Sequence, residues 1–159
     1  STSAKKRAGD WRGIQGNFGP PGRKMDLSDV RTYGRLEQLL DDPKIDLVDV
    51  TLPPYLHAST TISALKAGKH VFCEKPLALT ATDCQKMIRA AERADRMILV
   101  GHVLPFFPEY RWALKAIKSG KYGKLKGGSF RRVISDPSWL KNYWSAKHVG
   151  GPMLENVVF

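Results

Sequence analysis

Short apolar runs alternate with helical patterns through the middle of the chain. Residues 45–52 are rich in branched side chains, and further apolar runs occupy 70–73 and 97–101. Between these runs, apolar residues recur at intervals of three and four positions, as they do on one face of a helix. Helices of this length between short strands are typical of βαβ crossovers. The pattern therefore predicts neighbouring parallel strands in an α/β sheet whose two faces are both covered.

The two central helical patterns have recognisable ends. One covers 56–67 and is followed by Gly68, a common residue after a helix C-terminus. The other covers 80–95 and begins with Thr80-x-x-Asp83, which resembles a capping box. Four apolar stripes support helices along the chain: Leu36, Leu39 and Leu40; Ala58, Ile62 and Leu65; Cys84, Met87, Ile88 and Ala91; and Phe107, Tyr110, Leu114 and Ile117.

The outer parts of the chain have a different pattern. Residues 1–9 are polar and compatible with a helix, whereas the glycines and prolines of 13–30 predict a loop. After the last stripe, 124–135 predicts a longer strand. The aromatic residues Trp139, Tyr143 and Trp144 fit either the core of a second domain, a subunit contact or a platform that stacks on a sugar.

Composition narrows the possible partners. The net charge of +11 comes from 26 Lys and Arg against 15 Asp and Glu, but the basic residues are spread without a nucleic-acid-binding pattern, so we expect no nucleic-acid partner. Cys73 and Cys84 lack the spacing of metal ligands or of a secreted disulfide framework, and we predict no metal site. No apolar segment approaches the roughly 20 residues of a membrane span, and no signal peptide is evident. The sequence predicts a cytoplasmic protein without membrane contact.

Chemically useful residues follow each of the three predicted strands. Pro53-Pro54 and His57 come after the first, Glu74-Lys75-Pro76 after the second, and His102 after the third. Ligands of open parallel sheets bind at the carboxyl ends of the strands. Pro76 biases Lys75 towards an extended conformation beyond its strand, where the ammonium can donate to a substrate hydroxyl or carbonyl. The alternative is a surface turn in which Lys75 pairs with Glu74.

Two stretches, "AGKHVFCEKPLALT" and "ILVGHVLPFFPEY", together resemble the Gfo/Idh/MocA family of NAD(P)-dependent oxidoreductases. The similarity runs from about Leu36 to Gly151. It implies a partial Rossmann domain over 1–103, without its first glycine turn, and the beginning of a second α/β domain for substrate and oligomerisation over 104–159. It also implies NAD or NADP as cofactor, a sugar, polyol or cyclitol as substrate, and a homo-oligomer formed through the second-domain sheet.

The resemblance also implies roles for individual residues. Lys75 takes the position of the catalytic lysine that contacts nicotinamide and substrate, while Glu74 and Pro76 shape its turn. Family members often have a cis proline here, so we predict a cis Lys75–Pro76 bond. The remaining cofactor-binding positions are Leu52, Pro53, Pro54, His57 and His102.

The chain departs from the family pattern at the substrate side. Counting from Gly150-Gly151, the family pair of an acid and a histidine four residues later falls on Glu155 and Phe159. Phenylalanine cannot take a proton, so Glu155 is a candidate catalytic acid without its usual partner. Either a one-residue shift puts the histidine beyond residue 159, or Lys75 or His148 transfers the proton, or the protein is not a catalyst.

The cofactor loops depart as well. Leu52-Pro53-Pro54 stands where the family commonly has Thr-Pro-Asn, and 105–108 reads Pro-Phe-Phe-Pro in place of Arg-Phe-Asn-Pro. Two functions therefore remain: a dehydrogenase that transfers hydride between NAD(P) and a sugar, polyol or cyclitol, and a non-catalytic cofactor-sensing or partner-binding protein on the same scaffold. The 159-residue chain alone is expected to be inactive, since the phosphate-binding turn and most of the second domain lie outside it.

Overall fold

The structure is a computed structural model that describes residues 3–14, 20–129, 131, 133 and 144–151. The chain falls into two compact units, Ser1–Asp46 and Leu47–Phe159. The predicted domain boundary after residue 103 lies within the second unit and stays a prediction. None of the helices in these described ranges is both long and apolar enough to cross a bilayer.

The first unit contains two short helices joined by irregular chain. Helix α1 spans Ala4–Arg7, where Ser3 accepts a hydrogen bond from the backbone of Lys6, and α2 spans Leu36–Leu40. Between them, the described part of the predicted loop contains an isolated antiparallel bridge from Asp10 to Lys24. The sequence predictions of an N-terminal helix, a loop and a second helix are confirmed at this level.

The second unit contains a parallel three-stranded sheet, in which the strands β1 (Leu47–Val50), β2 (His70–Cys73) and β3 (Ile98–Val100) lie side by side in the order β1-β2-β3. Val71 lies opposite Val48 on one side and Ile98 on the other. The predicted parallel strands and Rossmann-type fold are confirmed. The strand β2 has the predicted bounds, whereas β1, β3 and the two central helices are one or two residues shorter at each end than their patterns. The elements are β1 Leu47–Val50, α3 His57–Lys66, β2 His70–Cys73, α4 Ala81–Ala94, β3 Ile98–Val100, α5 Pro108–Lys118 and α6 Ala146–Val149, with 3₁₀ turns at Pro54–Leu56 and Leu104–Phe106.

One face of the sheet forms the core of this unit. Val48, Val50, Val71 and Cys73 point to that face, where α3 packs on β1 and β2 and also against α4. Alternation along each strand sends the other side chains to the opposite face, where Leu47 and Leu99 are more than half exposed. The expectation that both faces are covered is therefore wrong for the described residues, whose helices cover one face.

The buried side of α3 differs from the predicted stripe of Ala58, Ile62 and Leu65. Its buried residues are His57, Thr60, Thr61, Ala64 and Leu65, whereas Ala58 and Ile62 are half-buried. Leu65 of the stripe is buried as predicted, and His57 is buried as well because its ring forms hydrogen bonds inside the unit.

The predicted strand over 124–135 is also wrong where it is described. Residues 124–129, 131 and 133 are not in a strand. A strand needs a neighbouring chain to satisfy its backbone groups, and Gly127 and Gly128 offer no side chains to pack on one. The local sequence alone did not reveal that requirement.

In the first unit, Asp42 is a buried carboxylate surrounded by donors. The Tyr33 hydroxyl and the Arg31 guanidinium donate to Oδ2, and the Lys44 backbone N–H donates to Oδ1 at 2.9 Å. The hydrogen bond from Tyr33, with those from Lys44 and Arg31, lowers the pKa of Asp42 to about 2. Because the folded-state value lies below the ordinary value near 4, the ionised carboxylate stabilises the folded state above that pH.

We predict that stability attributable to Asp42 is lost as the pH falls from about 4 to about 2. Asp42→Asn should lower the melting temperature at pH 7, because it removes the carboxylate that Tyr33 and Arg31 contact. It should also flatten the dependence of melting temperature on pH in that window. Thermal melts by circular dichroism measure both effects, with Asp41→Asn at the exposed neighbouring position as control. An equal loss of melting temperature in Asp42→Asn and Asp41→Asn would contradict the stabilising role assigned to Asp42.

Candidate functional site

The turn after β2, residues 74–76, is fixed by backbone contacts at the carboxyl edge of the sheet. We call it the β2 turn. The Glu74 N–H donates to the Val50 carbonyl at 3.0 Å, and the Lys75 N–H donates to the Glu74 carboxylate at 3.0 Å. Pro76 is fully buried, Lys75 is half-buried, and the Lys75–Pro76 peptide bond is cis, as predicted. The lysine therefore leaves the sheet at a defined point next to the end of β1.

The end of β3 is held against this turn. The Gly101 N–H donates to the Cys73 carbonyl at 2.8 Å, and Gly101 lies directly against the Glu74 side chain. A Cβ at position 101 would lie 3.3 Å from the carboxyl carbon and both carboxylate oxygens of Glu74. This contact is tighter than most, so the bare glycine lets the Glu74 carboxylate lie flat against β3.

His57 connects the β2 turn with the segment that follows β1. That segment, residues 52–56, is called the β1 loop. The His57 ring is buried, with Nδ1 2.8 Å from the Pro76 carbonyl oxygen and Nε2 2.7 Å from the Leu52 carbonyl oxygen. Carbonyl oxygens only accept hydrogen bonds, so both bonds together require a proton on each ring nitrogen. The ring thus joins two of the three strand exits.

His102 lies at the third strand exit. Its backbone N–H donates to the Val100 carbonyl at 2.7 Å, and the Nε2 atom of its ring is buried without a hydrogen-bond partner among the described residues. A buried polar atom without a partner is uncommon in a folded protein. A polar group of a bound ligand, such as the carboxamide of a nicotinamide, would supply one. The carboxyl edge is therefore compatible with the cofactor that the resemblance implies.

His148, on α6, lies beside the β1 loop. Its ring meets the Tyr55 ring edge-on with centroids 5.5 Å apart, and its Nδ1 atom lies 2.7 Å from the Ser145 hydroxyl oxygen. Ser145 is the residue before α6, so the pair forms across the first turn of the helix. The contact with Tyr55 brings a second, half-buried imidazole to the side of the β1 loop.

Cys73, which directly precedes the β2 turn, has a different environment. It is fully buried, and burial raises the pKa of its thiol to about 11. A thiol with a raised pKa is a poor nucleophile near neutral pH, so Cys73 is a packing residue, as the sequence predicted. Within the described ranges, no group of three His, Cys, Asp or Glu side chains is arranged to hold a metal ion.

The structure brings most of the candidate residues to one region. Glu74, Lys75 and Pro76 form the β2 turn, Leu52, Pro53 and Pro54 lie in or begin the β1 loop, and His57 links the two. Glu155, like Phe159, Trp139 and Tyr143, lies outside the described residues. The assignment of each candidate site residue to a cofactor or to a reaction stays a prediction.

Sequence reasoning missed several contacts of this region. It assigned His57 to the cofactor and did not identify the two backbone carbonyls that its buried ring contacts, and it did not identify Ser145, Tyr55 or the contact between Gly101 and Glu74. The spacing of Ser145 and His148, three residues apart at the start of a helix, was the one available signal. The other contacts join residues that are distant in the sequence.

Known proteins share this arrangement over part of their length. The model of the Gfo/Idh/MocA oxidoreductase family, an NAD-binding Rossmann fold, matches residues 22–102. The 2,7-anhydro-N-acetylneuraminate hydratase of Escherichia coli strain K12 is 41% identical over 90 residues, which are 57% of this chain and 24% of the hydratase. The 1,5-anhydro-D-fructose reductase of Ensifer adhaerens is 39% identical over 108 residues, 68% of this chain and 32% of the reductase.

A solved structure is also similar to this chain over part of its length. The WlbA dehydrogenase from Chromobacterium violaceum, in complex with NADH and UDP-GlcNAcA, matches with a TM-score of 0.57 and 27% identity over 60% of this chain and 28% of that chain. The chain spans about a quarter to a third of the length of the curated relatives it matches. Because the family model covers about half of the chain and includes the parallel sheet and its three strand exits, the chain belongs to the Gfo/Idh/MocA oxidoreductase family.

Proposed function

We propose that the protein transfers a hydride between NAD or NADP and a carbon bearing a hydroxyl or carbonyl group on a sugar, polyol or cyclitol. The observation that carries the proposal is the position of Lys75. It follows the last residue of the central strand by two positions, and its backbone is held by Glu74. A cofactor that exchanges hydride supplies the redox chemistry when bound.

In this proposal Lys75 holds the substrate oxygen. Its ammonium donates a hydrogen bond to that oxygen and favours the negative charge that develops there when a hydroxyl is oxidised. The half-buried position strengthens this interaction relative to a lysine in bulk water. The β1 loop, with exposed Leu52 and Pro53, and His102 are the proposed contacts of the cofactor.

His148 is the proposed proton-transfer group. It lies against Tyr55 of the β1 loop, and the Ser145 hydroxyl holds its Nδ1 atom. An imidazole held at one nitrogen can exchange a proton at the other. In oxidation, the substrate hydroxyl would lose its proton to His148, and the carbon that bears this hydroxyl would lose a hydride to NAD or NADP.

The relatives support a carbohydrate substrate without naming one. One is named a reductase of an anhydro sugar and another a hydratase of an anhydro sialic acid, so anhydro sugars belong in any substrate panel. The alternative of a non-catalytic cofactor sensor is favoured by Phe159, on which the family histidine position falls when counted from Gly150-Gly151, and by the altered sequence Leu52-Pro53-Pro54. Assembly into a homo-oligomer and residence in the cytoplasm stay predictions.

We expect Lys75→Ala in the full protein to lower turnover by about 10²–10⁴-fold with little change in cofactor affinity, since positioned acid–base groups contribute on that scale. Lys75→Arg should not restore activity, because the bulkier planar guanidinium cannot take the place of the compact ammonium beside the substrate oxygen. The measurement is NADH or NADPH absorbance with sugars, anhydro sugars and inositols. Equal activity of wild type and Lys75→Ala would remove Lys75 from the mechanism. Tight cofactor binding without turnover of any substrate would instead support the sensor.

We also predict that His148→Gln in the full protein lowers kcat and changes the pH dependence of kcat/KM, because it removes the group proposed to take the substrate proton. His70→Gln is the matched control. The His70 ring accepts a hydrogen bond from the Met97 backbone at the amino end of β2, opposite the site. A pH profile that His148→Gln leaves unchanged would exclude His148 as the proton-transfer group.

A further inference from the structure

We infer that His57 is a positioning residue that sets the β1 loop and the β2 turn independently, one through each ring nitrogen. The inference rests on the proposed hydride-transfer function, because it assigns the β1 loop to the cofactor and the β2 turn to the substrate. The observation is the pair of hydrogen bonds from one buried ring to the carbonyl oxygens of Leu52 and Pro76.

The two bonds lie just beyond the regular strand pairing. The Glu74 N–H donates to the Val50 carbonyl at 3.0 Å, which ties the ends of β1 and β2. Leu52 lies two residues after Val50, and Pro76 lies two residues after Glu74. Beyond this point the segments leave the sheet, and His57 provides a side-chain connection between them.

The ring is rigidly placed for this task. His57 is the first residue of α3 and follows the 3₁₀ turn of Pro54–Leu56, so its backbone belongs to a helix that packs on the sheet. Its side chain is 1% exposed, which limits motion of the ring. A buried donor fixed on a helix can set two loop carbonyls more accurately than the loops could by themselves.

The two nitrogens serve different loops. Nδ1 faces Pro76, whose neighbour Lys75 is the proposed catalytic residue, and Nε2 faces Leu52, which begins the proposed cofactor loop. Losing the Nδ1 bond should therefore misplace Lys75 and lower kcat. Losing the Nε2 bond should loosen the β1 loop and raise the KM for the cofactor.

Two substitutions separate the two bonds. The amide nitrogen of asparagine can occupy the place of Nδ1, and that of glutamine can occupy the place of Nε2. His57→Asn in the full protein should keep kcat within a few-fold and raise the cofactor KM about tenfold or more. His57→Gln should keep the cofactor KM and lower kcat by about 10²-fold, the scale on which a misplacement of about 1 Å acts.

The controls address folding and packing. Thr61→Val changes a buried side chain one helical turn after His57 with almost the same shape, and it should alter neither parameter. His57→Phe keeps an aromatic ring but removes both donors, so it should combine both defects. Thermal melts of each variant report whether the folded state persists.

A readout without activity keeps the inference testable if the proposed function fails. Amide hydrogen exchange reports the β2 turn through Lys75, whose N–H is bound by Glu74, and the β1 loop through Leu56, whose N–H is bound by the Pro53 carbonyl. His57→Gln should accelerate exchange at Lys75 only, and His57→Asn at Leu56 only.

Opposite kinetic defects in the two variants, or opposite exchange patterns, support the inference. If wild type turns over no substrate, the proposed enzyme fails while the exchange pattern still decides the role of His57. Equal defects in kcat and KM for both variants, or equal exchange at Lys75 and Leu56, would show a general packing role and overturn it. Unchanged behaviour of both variants would overturn it as well.

Discussion

Parallel pairing of β1, β2 and β3 is the constraint on which the candidate site depends. In a parallel sheet all strands exit at the same edge, so residues that are 20 to 50 positions apart in the sequence become neighbours there. The bonds from Glu74 to Val50 and from Gly101 to Cys73 extend the pairing one residue beyond the strands. The three exits are thereby fixed relative to one another before any side chain contributes.

A buried imidazole then extends this order into the irregular segments. Burial of a polar ring is unfavourable unless its nitrogens are hydrogen-bonded, and here both lie within 2.8 Å of carbonyl oxygens. The same bonds satisfy two carbonyls that have left the strand pairing. This explains how a polar ring, that of His57, can be among the buried residues of α3.

The sequence was sufficient for features that depend on local chemistry. The apolar runs 45–52, 70–73 and 97–101 predicted the strands, and Thr80 and Asp83 predicted the start of α4, where Thr80 accepts from the Asp83 N–H at 3.1 Å. The helical stripe of α3 did not include His57 because periodicity counts apolar residues, whereas His57 is buried through two hydrogen bonds to carbonyl oxygens. The contact between Gly101 and Glu74 depends on sheet register, which no local pattern contains. The strand expected over 124–135 failed for a related reason, since a local sequence pattern cannot supply a partner strand.

Binding of the cofactor and transfer of the proton are assigned to different parts of the chain. The contacts proposed for the cofactor come from the strand exits, whose arrangement is fixed by backbone pairing and by His57. The proposed proton-transfer group, His148, belongs to the short helix α6, which contacts the 3₁₀ turn of the β1 loop. If the family histidine position is Phe159, as counting from Gly150-Gly151 predicts, the proton acceptor is lost at a position far in the sequence from the strand exits. The scaffold thus allows catalysis to be rebuilt around a different histidine or lost while cofactor binding is retained, and for this reason the fold alone does not decide between an enzyme and a sensor.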